Sequence, residues 1–460
     1  MLQQFFLDSA KSILSILPEK LQFPPVYRKT KRLIKDSEKW DIYKIENWQL
    51  QKLKFMISYA YKNIPGYYEL YKNQNIKPED IRNLNDIKLL PFVSKQLLRD
   101  NLKDFTSSAI PKWKLKYLTT GGSTGIPFGF YTTIRNYYIE TAFMNSAWES
   151  VGWKYGNLSA MLRGSFIGSG EVFYKCERFN NTLYLSNYYL NDKSYSKYKF
   201  IVEKFKPVVF QAYPSAITML SDLIIDNNDC GKWNFKIIFL GSENIYQWQR
   251  DKIRKAFPNS KIHTWYGHAE KVIYAPCCAN SDLLHISPIY GYTEILDSKN
   301  NEVNLNEKGE LVGTSFWNFA TPFIRYRTND IALKNEFGCK ECGRQHQLLT
   351  RIEGRIHEFI VSINNRYVSM TSINMHDDIF DKLLQFQFYQ DTPGKVIFKY
   401  IPKSKFENSD IETITVRLKP KLGDDFEFET KQVKEIYRNK SGKFTFLEQK
   451  LEIKYKNEYE

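Results

Sequence analysis

Apolar and polar positions follow two different rhythms along this chain. In the first hundred residues the rhythm is helical. Apolar side chains recur three and four apart from about Trp48 to Tyr61, and again from Lys95 to Leu102, where Ser94 stands ready as an N-cap. From about residue 200 the pattern becomes short apolar runs, at Pro207–Ala212, Phe235–Leu240 and Lys261–Gly267, with helical stretches at Ala216–Ile225 and Gln247–Ala256 between them. Buried strands alternating with helices predict an α/β fold with a mostly parallel, covered sheet. Ligands of such sheets sit beyond the carboxyl ends of the strands. The turns Tyr213-Pro214-Ser215, Gly241-Ser242-Glu243 and Tyr266-Gly267 fall there.

Further on the rhythm turns antiparallel. His285–Ser287, Gly291–Leu296 and Gly309–Thr314 read as strands. The last hundred residues read as a separate small α+β unit. In it Leu384–Phe388 alternates with period two, Asp391-Thr392-Pro393-Gly394 turns, and Lys395–Tyr400 returns as a hairpin partner. A helix from Ser409 to Leu418 and a strand near Phe428 complete it.

Composition narrows the class. With 460 residues and 42% hydrophobic content the chain is too long for one core and too apolar to be mainly disordered. No apolar run is long enough to span a bilayer, and Asp8 interrupts the start where a secretory signal would need unbroken apolar residues. The formal net charge of +15 favours acidic partners, but no nucleic-acid-binding motif accompanies it. Six cysteines, scattered or in C-x-x-C spacing, make a poor disulfide framework and fit a reducing cytoplasm. Leu2, Phe5, Phe6, Ala10, Ile13, Leu14 and Leu17 form an apolar helical face followed by basic residues from Lys20 to Lys35. Such a helix lies on an anionic membrane, here the inner face, or packs on protein, which is its more ordinary use.

The richest chemistry sits in Thr119-Thr120-Gly121-Gly122-Ser123-Thr124-Gly125-Ile126-Pro127. Glycines let a backbone approach a ligand and aim successive N–H groups at it, and the hydroxyls add donors. These are the requirements of a polyphosphate-binding loop, although neither the dinucleotide fingerprint nor the Gly-Lys-Ser/Thr loop is present.

Five further strings follow in order: Gly241-Ser242-Glu243, Tyr266-Gly267-His268-Ala269-Glu270, Phe323–Asp330, Ile352–Glu358 and Arg438–Phe444. As an ordered set they resemble the adenylate-forming superfamily of acyl-coenzyme A ligases, adenylation domains and luciferases. The Tyr-Pro-Ser turn, Ile324-Arg325-Tyr326-Arg327-Thr328-Asn329-Asp330 and Cys339-Lys340-Glu341-Cys342-Gly343-Arg344 are most similar to the branch of phenylacetate–coenzyme A ligases and related capsule-polysaccharide biosynthesis proteins. The resemblance spans roughly residues 50–450.

It implies a large ATP- and acid-binding domain over 1–354, helical over 1–100, and a small mobile domain over 355–460. The implied roles suit the residue chemistry. Thr120, Gly121, Gly122, Ser123, Thr124 and Gly125 would close over the triphosphate. Gly241, Ser242, Glu243 and Gly267 would line the nucleotide and acid sites, and Tyr266 would stack on adenine. Glu270 would hold Mg²⁺, Asp330 would accept from the ribose hydroxyls with Arg355 beside it, and Lys443 would bridge the carboxylate and the α-phosphate. The chain departs from the pattern at Gly122, at Phe128 in place of a lysine, at Ala269 in place of a threonine, at Asn329 in place of a glycine, and at His357-Glu358 in the hinge.

Cys339-x-x-Cys342, flanked by glycines, has zinc-knuckle spacing. With His285 and either Cys278 or Cys277 it would make a closed Cys₃His structural zinc site. The acid is expected among the three strand-end turns, with Phe210, Tyr246 and Trp265 as aromatic neighbours that permit an aryl or small acyl acid. The acceptor is an amine or hydroxyl, as on an activated sugar for a surface polysaccharide, or the thiol of coenzyme A. A non-catalytic nucleotide-binding scaffold is the reading from another class.

Overall fold

The computed structural model describes residues 19–451 apart from 121–127, 163–172, 178–180, 188, 243–244, 246, 298, 353–358, 365, 370–372, 374–381, 403–405 and 437–446. The apolar N-terminal face therefore lies outside the described residues.

Helices open the chain, at Pro25–Ser37, Ile42–Asn63 and Pro65–Asn73. Asp41 caps the second by accepting the Lys44 N–H at 2.8 Å, and Pro65 starts the third because proline needs no donor at a first turn. The predicted helix after Ser94 forms at Lys95–Asp100, with Ser94 Oγ accepting from the Leu97 N–H.

Strands β1 (Lys116–Thr120) and β2 (Phe128–Thr132) form a separate antiparallel pair, so the glycine-rich loop joins a hairpin and does not follow a strand of the parallel sheet. The hairpin is tied to the rest of the chain by Thr321 Oγ1, which accepts from the Tyr131 N–H, and by Asn318, whose amide donates to the Tyr131 carbonyl.

The central sheet holds β3 (Ser159–Leu162), β4 (Tyr174–Glu177), β5 (Thr182–Leu185), β6 (Val209–Ala212), β7 (Ile237–Leu240), β8 (Lys261–Gly267) and β9 (Tyr274–Pro276), in the order β4-β5-β3-β6-β7-β8-β9. Its five inner strands run parallel, and both edges are antiparallel. β6 and β7 are buried at every position, which is why they read as unbroken apolar runs. Helices Pro214–Asp226 and Gln247–Ala256 supply the crossovers. On the opposite face Trp148, from the helix Ile134–Ser150, stacks on Phe239.

A second sheet is wholly antiparallel, as expected. It consists of β10 (Leu284–His285), β11 (Gly291–Leu296), β12 (Lys308–Ser315), β13 (Tyr326–Phe337) and β14 (Gln347–Ile352), ordered β10-β14-β13-β12-β11. Its pairing slips between Glu310 and Val312, so Thr328, Asn329 and Asp330 bulge out of β13. Asn329 sits at φ 61°, a left-handed conformation that asparagine tolerates better than most residues. The departure from glycine at this position is thus conformationally matched.

In the C-terminal part, β15 (Phe359–Val361) and β16 (Tyr367–Ser369) pair, and β17 (Leu383–Gln390), β18 (Lys395–Pro402), β19 (Glu427–Gln432) and β20 (Leu447–Gln449) form a sheet ordered β19-β18-β17-β20. The sheet packs with the helix Asn408–Leu422 around Phe386, Phe388, Phe398 and Leu418. The predicted hairpin is present, and the helix runs past its expected end at Leu418 to stop at Gly423.

Candidate active site

The bulge in β13 and the end of β8 face one another. Tyr266 Oη donates to Asp330 Oδ2 at 2.8 Å. Asp330 is itself oriented by its N–H, which donates to Thr328 Oγ1, while that hydroxyl donates to the Leu311 carbonyl. Burial, and then the Asp330 charge, push the Tyr266 phenol well above its ordinary range, so it stays a neutral donor.

Glu270 lies just beyond β8 and is buried. A buried carboxylate is costly unless it is paired. Here Tyr326 Oη donates to Oε1 at 3.0 Å, Lys95 Nζ lies 3.4 Å from the same oxygen, and His268 Nδ1 lies 3.3 Å from Oε2. Burial alone would raise its pKa. The Lys95 charge and His268 outweigh that and hold the carboxyl well below the usual carboxylate range. The group is an ionised hard-oxygen donor, which suits Mg²⁺, an ion that takes one or two carboxylates and fills its shell with phosphate and water.

Three of these groups escaped sequence reasoning. Tyr326 lay inside a quoted string without a role. His268 likewise lay inside the string ending in Glu270, without a role. Lys95 is 175 positions from Glu270, so no local pattern joins them. One clue existed: a lysine at the first position of a helix opposes the helix dipole, and such local conflicts gather at functional sites. Lys95 Nζ also lies 5.8 Å from the centroid of Phe128.

At the end of β7, a Cβ on Gly241 would lie 2.6 Å from the Trp265 indole, so only glycine fits beneath that ring. Ser242 follows at φ 69°. Trp265 is partly exposed and borders this strand end, as expected. Phe210 does not: it is fully buried on the other face of the sheet and stacks on Phe235. Strand alternation explains the correction, because Phe210 points toward the crossover helices. Thr120 closes β1, and Gly267 closes β8. Gly121, Gly122, Ser123, Thr124, Gly125, Glu243, Tyr246, Arg355, His357, Glu358 and Lys443 lie outside the described residues.

The structure brings three of the thiols and a histidine together, with Cys278 and not Cys277 among them. Cys278, His285, Cys339 and Cys342 bring their ligand atoms within 4.8 Å of one another. Cys278 Sγ is 3.9 Å from Cys339 Sγ, and Cys342 Sγ is 4.0 Å from His285 Nε2. A tetrahedron with arms of about 2.3 Å has edges of about 3.8 Å, so these separations fit zinc. Burial, then Arg344, lower the His285 pKa to about 4, which keeps the imidazole neutral as a ligand must be. Cys277 faces away and lies 3.2 Å from His263 Nδ1, its thiol pushed up by burial. A cavity of about 50 Å³ adjoins His285, between the helices Pro25–Ser37 and Ile134–Ser150 and the residues Ser287, Arg344 and His346. Among the described residues, both ring nitrogens of His346 and Nδ1 of His285 lack a hydrogen-bond partner.

Comparison with known proteins follows the same line. Residues 360–450 match the family described as the CapK C-terminal domain. Protein CapK of Staphylococcus aureus is 26% identical over 429 residues, 91% of each chain. A phenylacetate-coenzyme A ligase of Aromatoleum evansii is 25% identical over 321 residues, 68% of this chain and 71% of that one. Among solved structures, 2-hydroxyisobutyryl-CoA ligase with 2-HIB-AMP and CoA, in the thioesterification state, aligns over 90% of this chain and 92% of its own, with a TM-score of 0.61 at 17% identity. The same ligase in its postadenylation state aligns over 88% and 89%, with a TM-score of 0.58 at 16% identity.

Proposed function

We propose that this chain, which has the fold of the adenylate-forming acyl-coenzyme A ligases and is a relative of CapK and the phenylacetate-coenzyme A ligases, activates a carboxylic acid with ATP. The observation that carries the reading is the grouping of Tyr266 with Asp330 and of Lys95 with Glu270 where the end of β8 meets β13. In the reaction a carboxylate oxygen of the acid attacks the α-phosphorus of ATP. The bond to the bridging oxygen of pyrophosphate breaks, and an acyl-adenylate forms.

Positioning two anions against each other is the difficulty, and cations resolve it. Tyr266 offers a ring face to adenine. Asp330 accepts from the ribose hydroxyls, and Arg355 would reinforce that end. Glu270 would hold Mg²⁺, which neutralises charge on the phosphates when bound. Lys95 adds a fixed ammonium on the same side. The glycine-rich loop from Thr120 closes over the triphosphate, and Lys443 enters with the small domain to bridge carboxylate and α-phosphate. Cys278, His285, Cys339 and Cys342 would hold a structural zinc ion, pinning the segment after β9 to the β13–β14 connection.

In a second half-reaction an acceptor nucleophile takes the acyl group and AMP leaves. The CapK match covers nearly the whole of both chains, whereas the Aromatoleum evansii ligase matches about two thirds. This favours an amine or hydroxyl acceptor in surface-polysaccharide biosynthesis. The coenzyme A thiol is the second reading, favoured by the long alignment to a ligase solved with CoA. A panel of acids, assayed for pyrophosphate release with and without coenzyme A, tests both. A thioester product supports the ligase. Release that hydroxylamine traps, without a thioester, supports the other acceptor. ATP binding with no release for any acid leaves only a scaffold.

A further inference from the structure

The segment that brings Lys95 to Glu270 is held by three consecutive residues of β13 and the turn before it. Arg325 Nη1 donates to the carbonyls of Lys88 and Leu90 at 3.0 and 2.8 Å. The Val93 N–H donates to the Arg325 carbonyl at 3.1 Å, and the Arg327 N–H donates to the Val93 carbonyl at 3.0 Å. Between these attachments stands Phe92, whose ring centroid lies 4.0 Å from the Arg325 guanidinium and 4.2 Å from that of Arg327. Each guanidinium is fixed by its own carboxylate: Arg325 by Glu294 in a buried pair, Arg327 by Glu310. The residue between the two arginines, Tyr326, donates to the Glu270 oxygen that Lys95 faces.

The same stretch therefore sets the carboxylate and the ammonium against each other. Two immobilised guanidiniums on one ring make a strong grip, since each is attracted to the ring face. The grip has something to resist: Lys95 begins its helix, where the dipole repels a cation.

We propose that Phe92 is a positioning residue, clamped by Arg325 and Arg327 so that Lys95 meets a phosphate oxygen of Mg-ATP. This rests on the adenylation reading. Phe92 acts through Lys95, so its loss is felt by the phosphates and not by the nucleoside. A side chain that merely supported the fold would affect both.

The test is equilibrium titration of the full chain with Mg-ATP and, separately, with adenosine. Phe92→Ala should weaken Mg-ATP binding about tenfold, the loss of one charge-assisted contact, and leave adenosine within about twofold. Phe92→Tyr keeps the ring and should restore wild-type affinity. Should the alanine variant fail to fold, Phe92→Leu, which keeps bulk but not the ring, should show the same selective loss. In a Lys95→Met background Phe92→Ala should add nothing. Equal losses for Mg-ATP and adenosine, or an undiminished Phe92→Ala effect without Lys95, would overturn the proposal alone. A wild-type chain that binds no Mg-ATP would overturn the adenylation reading, and this proposal with it.

Discussion

The phenol of Tyr266 and the carboxylate of Asp330, 64 residues apart, are joined by a 2.8 Å hydrogen bond across two different sheets. That bond orients the Tyr266 ring and engages one of the two oxygens of Asp330. It also makes the β13 bulge part of the site, because the bulge aims Asp330.

Asn329 is the pivot of that bulge. Asn329→Gly should be close to neutral in urea unfolding. Asn329→Ala should cost about 1–2 kcal/mol, because alanine pays for the left-handed backbone that glycine adopts freely. Equal stabilities for the two variants would show that the backbone there relaxes.

Glu270→Gln removes the negative charge while keeping the shape. It should raise the Mg²⁺ concentration needed for pyrophosphate release by at least about tenfold, in keeping with the loss of an ionised ligand. An unaltered metal dependence would take Glu270 out of the phosphate site.

Lys443→Ala should abolish adenylate formation with most of the ATP affinity retained, because its ammonium is needed at the reacting carboxylate and α-phosphate. Pyrophosphate-release and ATP-binding assays on the same preparation read both quantities. Unchanged turnover would mean that a different cation does this work.

Metal analysis of the protein purified without added zinc should give close to one zinc per chain, and Cys342→Ser should lose it. His346→Phe removes both buried ring nitrogens of His346, whose ring lies 5.5 Å from that of His285. It should weaken zinc affinity, read by competition with a chelator, by roughly 10–100-fold, the usual weight of an outer-shell contact. A zinc content near zero in the wild type would end this assignment.

His263 gives a pH prediction. Burial, then Lys261, lower its pKa to about 3, whereas in the unfolded chain it titrates near 6.5. The folded state therefore binds fewer protons between those values. Its stabilising effect is complete above about pH 6.5 and is lost on acidification toward pH 3, by up to about 1.4 kcal/mol per pH unit. A His263→Phe variant should show a flatter stability profile over that window in urea unfolding, and an identical slope would discount the assignment.

Much of this was legible in the sequence, for physical reasons. β8 and the helix Gln247–Ala256 are legible at their observed bounds, because a short β-branched and aromatic run ending in glycine and a clean helical period leave little ambiguity. The cysteine–histidine cluster was legible because metal ligands have characteristic spacings, although only the fold could choose Cys278 over Cys277. Glu270, Tyr266 and Asp330 were found through their surrounding strings. Lys95 was not, because its role is created by a contact between distant segments and its own neighbourhood advertises only a capped helix. Phe210 misled for a related reason: periodicity gives two faces to a strand but does not say which one meets the ligand.

The fit of Gly241 beneath the Trp265 indole has a practical consequence. The hairpin leading into the glycine-rich loop is moored to Asn318 and Thr321, and the Lys95 segment to Arg325 and Arg327, all outside the central sheet. On the adenylation reading, varying Trp265 to admit other acids would thus leave those moorings in place.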